Sequence, residues 1–186
     1  MQLILLLYMN LHHLCSAPHV EVYFDTSNNW LFIDWEGDLT LEGVQHACLG
    51  IARCYLQHAY PRVLNSNAQV TSIAPDVGTW LAREFMSALH LAGVEQLAWV
   101  VAPALRARNG AMDAINRLSS TAISIFDDVE TAVSWLQQTA PSFQSGRSLL
   151  PRPLPTEAKL NHLVEAFAHQ LHASPGSIAP AQETGR

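Results

Sequence analysis

The chain has 186 residues, 49% of them hydrophobic, enough for one domain with segments to spare and too few for two independent cores. Only 14% of residues are charged and Lys159 is the single lysine, so much of the domain is buried or meets a partner through a polar-poor surface. The net charge of the chain is -6, and residues 19–140, where six arginines face thirteen acids, carry -7; nucleic acid, which needs a basic stripe, is excluded as a partner.

The run MQLILLLYM at the amino terminus is far short of the ~20 apolar residues that span a bilayer, so no membrane span is expected. Small residues at Cys15, Ser16 and Ala17 follow it as they would in a secretory signal, but no positive charge precedes it and His12 and His13 interrupt the approach to any cleavage site. The preferred reading is a start at Met9, with residues 1–18 as an extension of no structural role. Cys15, Cys48 and Cys54 are odd in number and lack CxxC spacing, which signals neither a disulfide framework nor a thiolate zinc site and points to the cytoplasm.

HVEVYF and WLFIDW are β-rich runs separated by the turn cluster Asp25–Asn29, an opening antiparallel hairpin. Thr40 is a good N-cap for an amphipathic helix on which Leu41, Val44, Cys48, Ile51 and Tyr55 recur at helical intervals to near Ala59. Pro61 stops it, and RVLNSNAQV reads as the next strand, with Asn65, Ser66 and Asn67 at its lip. Pro75 opens a second helix, DVGTWLAREFMSALHLAG, closed by Gly93.

EQLAWVVAP is too continuously apolar for a half-exposed strand and is the best candidate for the middle of the sheet. A short helix around Leu105 to Arg117, the strand TAISIF and a helix opened by an Asp127/Glu130 capping box complete the domain near residue 140. Residues 141–156 are a proline-rich linker. Residues 157–173 form an amphipathic helix with a stripe of Leu160, Leu163, Val164, Phe167 and Leu171, which needs a surface on this domain or on another copy, as in a homodimer; residues 174–186 read as a disordered tail.

The order ββαβαβαβα predicts an α/β sandwich: a central mixed β-sheet, an N-terminal hairpin followed by parallel strands, flanked by α-helices. A ligand would then sit beyond the carboxyl ends of the parallel strands.

The strings WLFIDWEGDLTLEG and RVLNSNAQV, Trp80 with Glu84 and Phe85, AGVEQLAWVVAP and FDDVETAVSWL, spread over residues 19–138, resemble the STAS-like domains related to sporulation anti-sigma-factor antagonists, the SpoIIAA-like family, in small stand-alone bacterial versions. The resemblance implies a four- or five-stranded sheet with helices, acting without catalysis as a regulatory, protein-interaction or small-ligand-binding domain. In the sporulation antagonists a serine after a central strand is phosphorylated within an Asp-Ser-Ser-Gly type stretch. Ser66 and Ser72 are its positional counterparts, Ser66 being the phosphorylation candidate; Asn65 stands where the acid would be, and the following glycine is absent.

Other constellations read as ordinary structure. Asp34, Glu36 and Asp38 alternate as on a solvated strand face and lack a calcium-loop pattern. His162, Glu165, His169 and His172 make the polar side of an amphipathic helix, without HExxH. No GxSxG, GxGxxG or GxxxxGK occurs, so neither a nucleophile elbow nor a phosphate loop is present, and no metal or cofactor is expected.

The expected function is therefore a non-enzymatic regulatory or protein-interaction domain of unidentified partner, docking through Asn65, Ser66, Asn67 and Gln69. The alternative is a carrier or sensor of a small hydrophobic ligand, with Trp80, Phe85 and Trp99 lining the pocket; plain core packing of these aromatics competes with it.

Overall fold

The computed structural model describes residues 9–85, 91–101, 122–139 and 154–173. The expected helix around Leu105–Arg117, most of the linker and the tail lie outside the described residues. The chain is an α/β fold built on one six-stranded mixed sheet, with strands β1 (Leu11–Ala17), β2 (Val20–Asp25), β3 (Trp30–Leu39), β4 (Arg62–Ile73), β5 (Gln96–Val101) and β6 (Ala122–Phe126) lying side by side in chain order. β1, β2 and β3 form an antiparallel meander, whereas β3 through β6 run parallel. The expected hairpin is thus β2–β3, and the sheet has one strand more than expected.

That extra strand corrects the reading of residues 1–18 as non-structural. Alternation in LHHLCSA is weak, but the turn into β2 needs only two residues, with His19 in the left-handed region at φ 64°. The reward is the backbone ladder from Leu11↔Asp25 to Ala17↔Val20. The β2–β3 turn is held by Asp25, whose fully buried carboxylate accepts the N–H groups of Ser27 (3.0 Å) and Asn28 (3.2 Å). Asn29 adopts the left-handed conformation that asparagine tolerates in such turns.

The helices are α1 (Leu41–Gln57), α2 (Pro75–Trp80), α3 (Val129–Gln138) and α4 (Leu154–Ala173). Thr40 caps α1 by accepting the Gly43 N–H, as expected. The cap of α3 is Asp128 rather than Asp127: its carboxylate accepts the Thr131 N–H at 2.7 Å, one residue later than the capping-box spacing suggests. After Trp80 the second helix widens into a π-helical turn, Leu81–Phe85; further along, Gly93 takes φ 85°, as a helix-closing glycine does.

The two sheet faces carry separate cores. On one, Val22, Leu31, Ile33, Val63 and Leu97 meet α1, α2 and α4. On the other, Trp30, Phe32, Leu64, Ala98 and Val100 meet Ala132 and Leu136 of α3. β5 contributes to both, so it is an inner strand covered on two sides; the central pair, however, is β3–β4. The stripe on α4 finds its surface on this domain: Leu160, Val164 and Phe167 are buried with Val44, Ile51 and Tyr55 of α1.

Candidate functional site

Parallel strands fed by helices leave their carboxyl ends clustered, and here those ends are unequal. β5 pairs with β4 only as far as Val101↔Asn67, while β3 and β4 continue together to Leu39↔Ile73. The register of this extension shifts twice, between Asp34 and Glu36 and between Gly37 and Asp38, each time with one residue more on β4 than on β3, and Gly37 supplies a left-handed residue at φ 72°. The result is a polar rim. Glu36, Asp38, Gln69, Thr71 and Ser72 are exposed, and the Asp38 carboxylate accepts both the Thr71 hydroxyl and the Ser72 hydroxyl (2.7 Å). These two bonds hold the Asp38 carboxyl below its ordinary pKa.

Asn65, Ser66 and Asn67 do not form a lip. They lie inside β4, paired with Ile33 and Asp34 on one side and with Trp99, Val100 and Val101 on the other, because the ladder runs on through the polar residues to Ile73. Side chains alternate along a strand, so the three diverge. Asn65 and Asn67 point to the α1 face, where Trp35 Nε1 donates to Asn65 Oδ1 (2.9 Å), Asn65 Nδ2 donates to Asn67 Oδ1 (2.8 Å), and Trp99 Nε1 donates to the same oxygen (2.7 Å). This Trp35–Asn65–Asn67–Trp99 chain satisfies two indole N–H groups inside the protein and stiffens the strands beneath the rim.

Ser66 points the other way and is fully buried beside Asp34 and Val100. A kinase cannot reach its hydroxyl in the folded domain, which corrects the phosphorylation assignment; the exposed counterpart is Ser72, bonded to Asp38. Asp34 is half-buried, and Gln69 Nε2 donates to its Oδ2 at 3.4 Å. Burial raises its pKa and Glu36 adds to the rise, while the Ser66 hydroxyl and Gln69 amide offset part of it. Of the four expected docking residues, Gln69 alone is exposed.

The expected pocket aromatics are distributed differently. A turn bonded i to i+5 sets residues five apart on one side, and the π-helical turn accordingly stacks Trp80 on Phe85 with ring centroids 6.4 Å apart. Phe167 of α4 lies against Trp80 at 5.8 Å, so one of the three expected pocket aromatics packs on α4. Trp99, half-buried on β5, is committed to Asn67. Among the described residues no group of three or more His, Cys, Asp or Glu side chains is arranged to hold a metal ion.

Two residues escaped the sequence reading. Arg62 is buried at the start of β4, 5.2 Å from the Trp30 ring, and donates to the carbonyls of Asn28 and Leu136; it ties the β2–β3 turn to the end of α3. Cys15 meets Cys54 across 39 residues of sequence, a proximity visible only once β1 is recognised as a strand. No helix among the described residues is long and apolar enough to cross a membrane.

No family model matches the sequence, and no curated protein matches it. Among solved structures, the chain is similar to an uncharacterized protein of the DUF3478 family with a SpoIIAA-like fold from Shewanella loihica PV-4. The two share 16% identity with a TM-score of 0.47, over 66% of this chain and 98% of that one.

Proposed function

We propose that the chain is a non-enzymatic, cytoplasmic docking domain of STAS type whose protein partner engages the polar rim at the carboxyl ends of β3 and β4. The observation that carries this reading is the rim itself: Glu36, Asp38, Gln69, Thr71 and Ser72 are exposed together on a β3–β4 extension braced by the tryptophan–asparagine chain. A surface presented without loop ordering loses little entropy on binding. Its two exposed carboxylates and the acidity of the chain favour a partner that offers guanidinium, ammonium or backbone N–H donors.

The test is paired affinity capture with full-length protein. A rim variant, Gln69→Ala with Ser72→Arg, is expected to lose a partner that the unchanged protein and a control variant on α4, Glu157→Arg, both retain. Equal retention by all three would overturn the rim as the docking surface.

A small-ligand role is the second reading, favoured by one detail. Asn67 is 5% exposed, and its Nδ2 donates to no described residue beside the half-buried Trp99. Native mass spectrometry of gently purified protein separates the two: an excess mass lost on denaturation supports a carrier, and a clean apo mass supports docking.

A further inference from the structure

Cys15 stands on the outer strand of the sheet and Cys54 on α1, and their Sγ atoms are 3.5 Å apart. Closing to the ~2.05 Å of a disulfide requires a side-chain adjustment of about 1.5 Å rather than a rearrangement of elements. The two thiols differ in setting. Cys15 is half-buried and near solvent, whereas Cys54 is buried and hydrogen-bonded to it. The third cysteine, Cys48, is 1% exposed and has its thiol pushed up by burial, out of reach of oxidants.

We infer that Cys15 and Cys54 form an oxidation site: a hydroperoxide oxidises Cys15, and Cys54 resolves the product into an intramolecular disulfide that ties β1 to α1. The Cys15 thiolate attacks the hydroperoxide; an S–O bond forms, the O–O bond breaks, and the departing oxygen leaves protonated, as water when the oxidant is hydrogen peroxide. The Cys54 sulfur then attacks the sulfenic acid; the S–S bond forms, the S–O bond breaks, and hydroxide leaves with the Cys54 proton as a second water. The two sulfurs give up two electrons in total, and the peroxide takes both.

The surroundings suit this division of roles. The hydrogen bond with Cys54 pulls the Cys15 thiol down to about 7, with His13 assisting and burial and Glu21 opposing. The same bond and burial push Cys54 up, so the half-buried Cys15 is the sulfur that ionises. Burial raises the pKa of the nearby Tyr60, and the two sulfurs add to the rise.

The test exposes reduced full-length protein to hydrogen peroxide and follows intact mass and peptide maps. The unchanged protein and Cys48→Ser should lose about 2 Da, stay monomeric on a non-reducing gel, yield a Cys15–Cys54 linked peptide and recover with dithiothreitol. Cys54→Ser should gain about 16 Da at Cys15, trapped by dimedone, and Cys15→Ser should remain unmodified over the same exposure. Linkage through Cys48, intermolecular linkage, or oxygen addition to the unchanged protein without loss of hydrogen would each overturn the inference.

Discussion

On one face of the sheet, α1, α2 and α4 cover a broad apolar core that ends in a hydrogen-bonded chain of two indoles and two amides; on the other, α3 covers a smaller core that ends at the half-buried Asp34 and the buried Ser66. The polar residues Asn65, Ser66 and Asn67 are adjacent in sequence, and the period of two in β4 deals them alternately to these faces. On the first face polar groups are satisfied by one another. On the second, an ionisable carboxyl is kept where burial penalises its charge. A single tripeptide thus serves a structural purpose on one side and something else on the other.

The largest expected effects ask whether both faces belong to one cooperative unit. Leu160→Ala on α4 and Leu136→Ala on α3 each remove a side chain that is at most 1% exposed, and each should cost about 2–5 kcal/mol. If α4 is integral to the fold, thermal unfolding of both variants stays a single transition at a lower Tm. A Leu160→Ala protein whose main transition is unmoved while the helix alone is lost would make α4 a detachable element.

The polar chain comes next in size. Asn67→Ala strands the Trp99 indole N–H and the Asn65 amide donor, which should cost about 1–3 kcal/mol in chemical denaturation. Ser66→Ala, on the opposite face, removes a hydroxyl that accepts a long bond from Ala68 N, 3.4 Å, and lies against the Asp34 carboxyl, and should cost less. Equal costs for the two would dissolve the distinction between the faces.

Much of this was legible in the sequence. The capped helix after Thr40, the inner strand at residues 96–101 and the glycine closure at Gly93 follow from local rules that act over a few residues, and the structure keeps each of them. Strand β1 was not legible, because LHHLCSA has little alternation and its stability comes from pairing with β2. The docking tripeptide was misplaced for a related reason: polar residues mark strand ends only when no neighbour supplies partners, and here Trp35 and Trp99 reach the asparagines from both adjacent strands. The Trp80–Phe85 stack depends on a π-helical turn, which an α-helical period does not anticipate.

The smallest expected effect is the most informative about the second face. Because burial raises the Asp34 pKa, the native state holds that proton to higher pH than the unfolded chain does. Stability therefore falls as pH rises from the ordinary carboxyl range through the raised native value, and the penalty persists at neutral pH. Asp34→Asn should make the protein more stable than the unchanged chain at pH 7, since an amide oxygen can still accept from Gln69 and carries no charge to desolvate. The gap should close below about pH 4, where the unfolded carboxyl is also protonated. Acid-sensitive carboxylates such as Asp38 and Asp128, which sit below their ordinary values, weaken both proteins alike and cancel from the difference. Urea titrations of the pair across this range check it, and a gap absent at pH 7 would show that Asp34 carries no penalty. A carboxylate retained at a cost, one hydrogen bond from the exposed Gln69, is what a rim that binds cationic or N–H-rich partners would keep, so the same variant should weaken partner capture while it strengthens the fold.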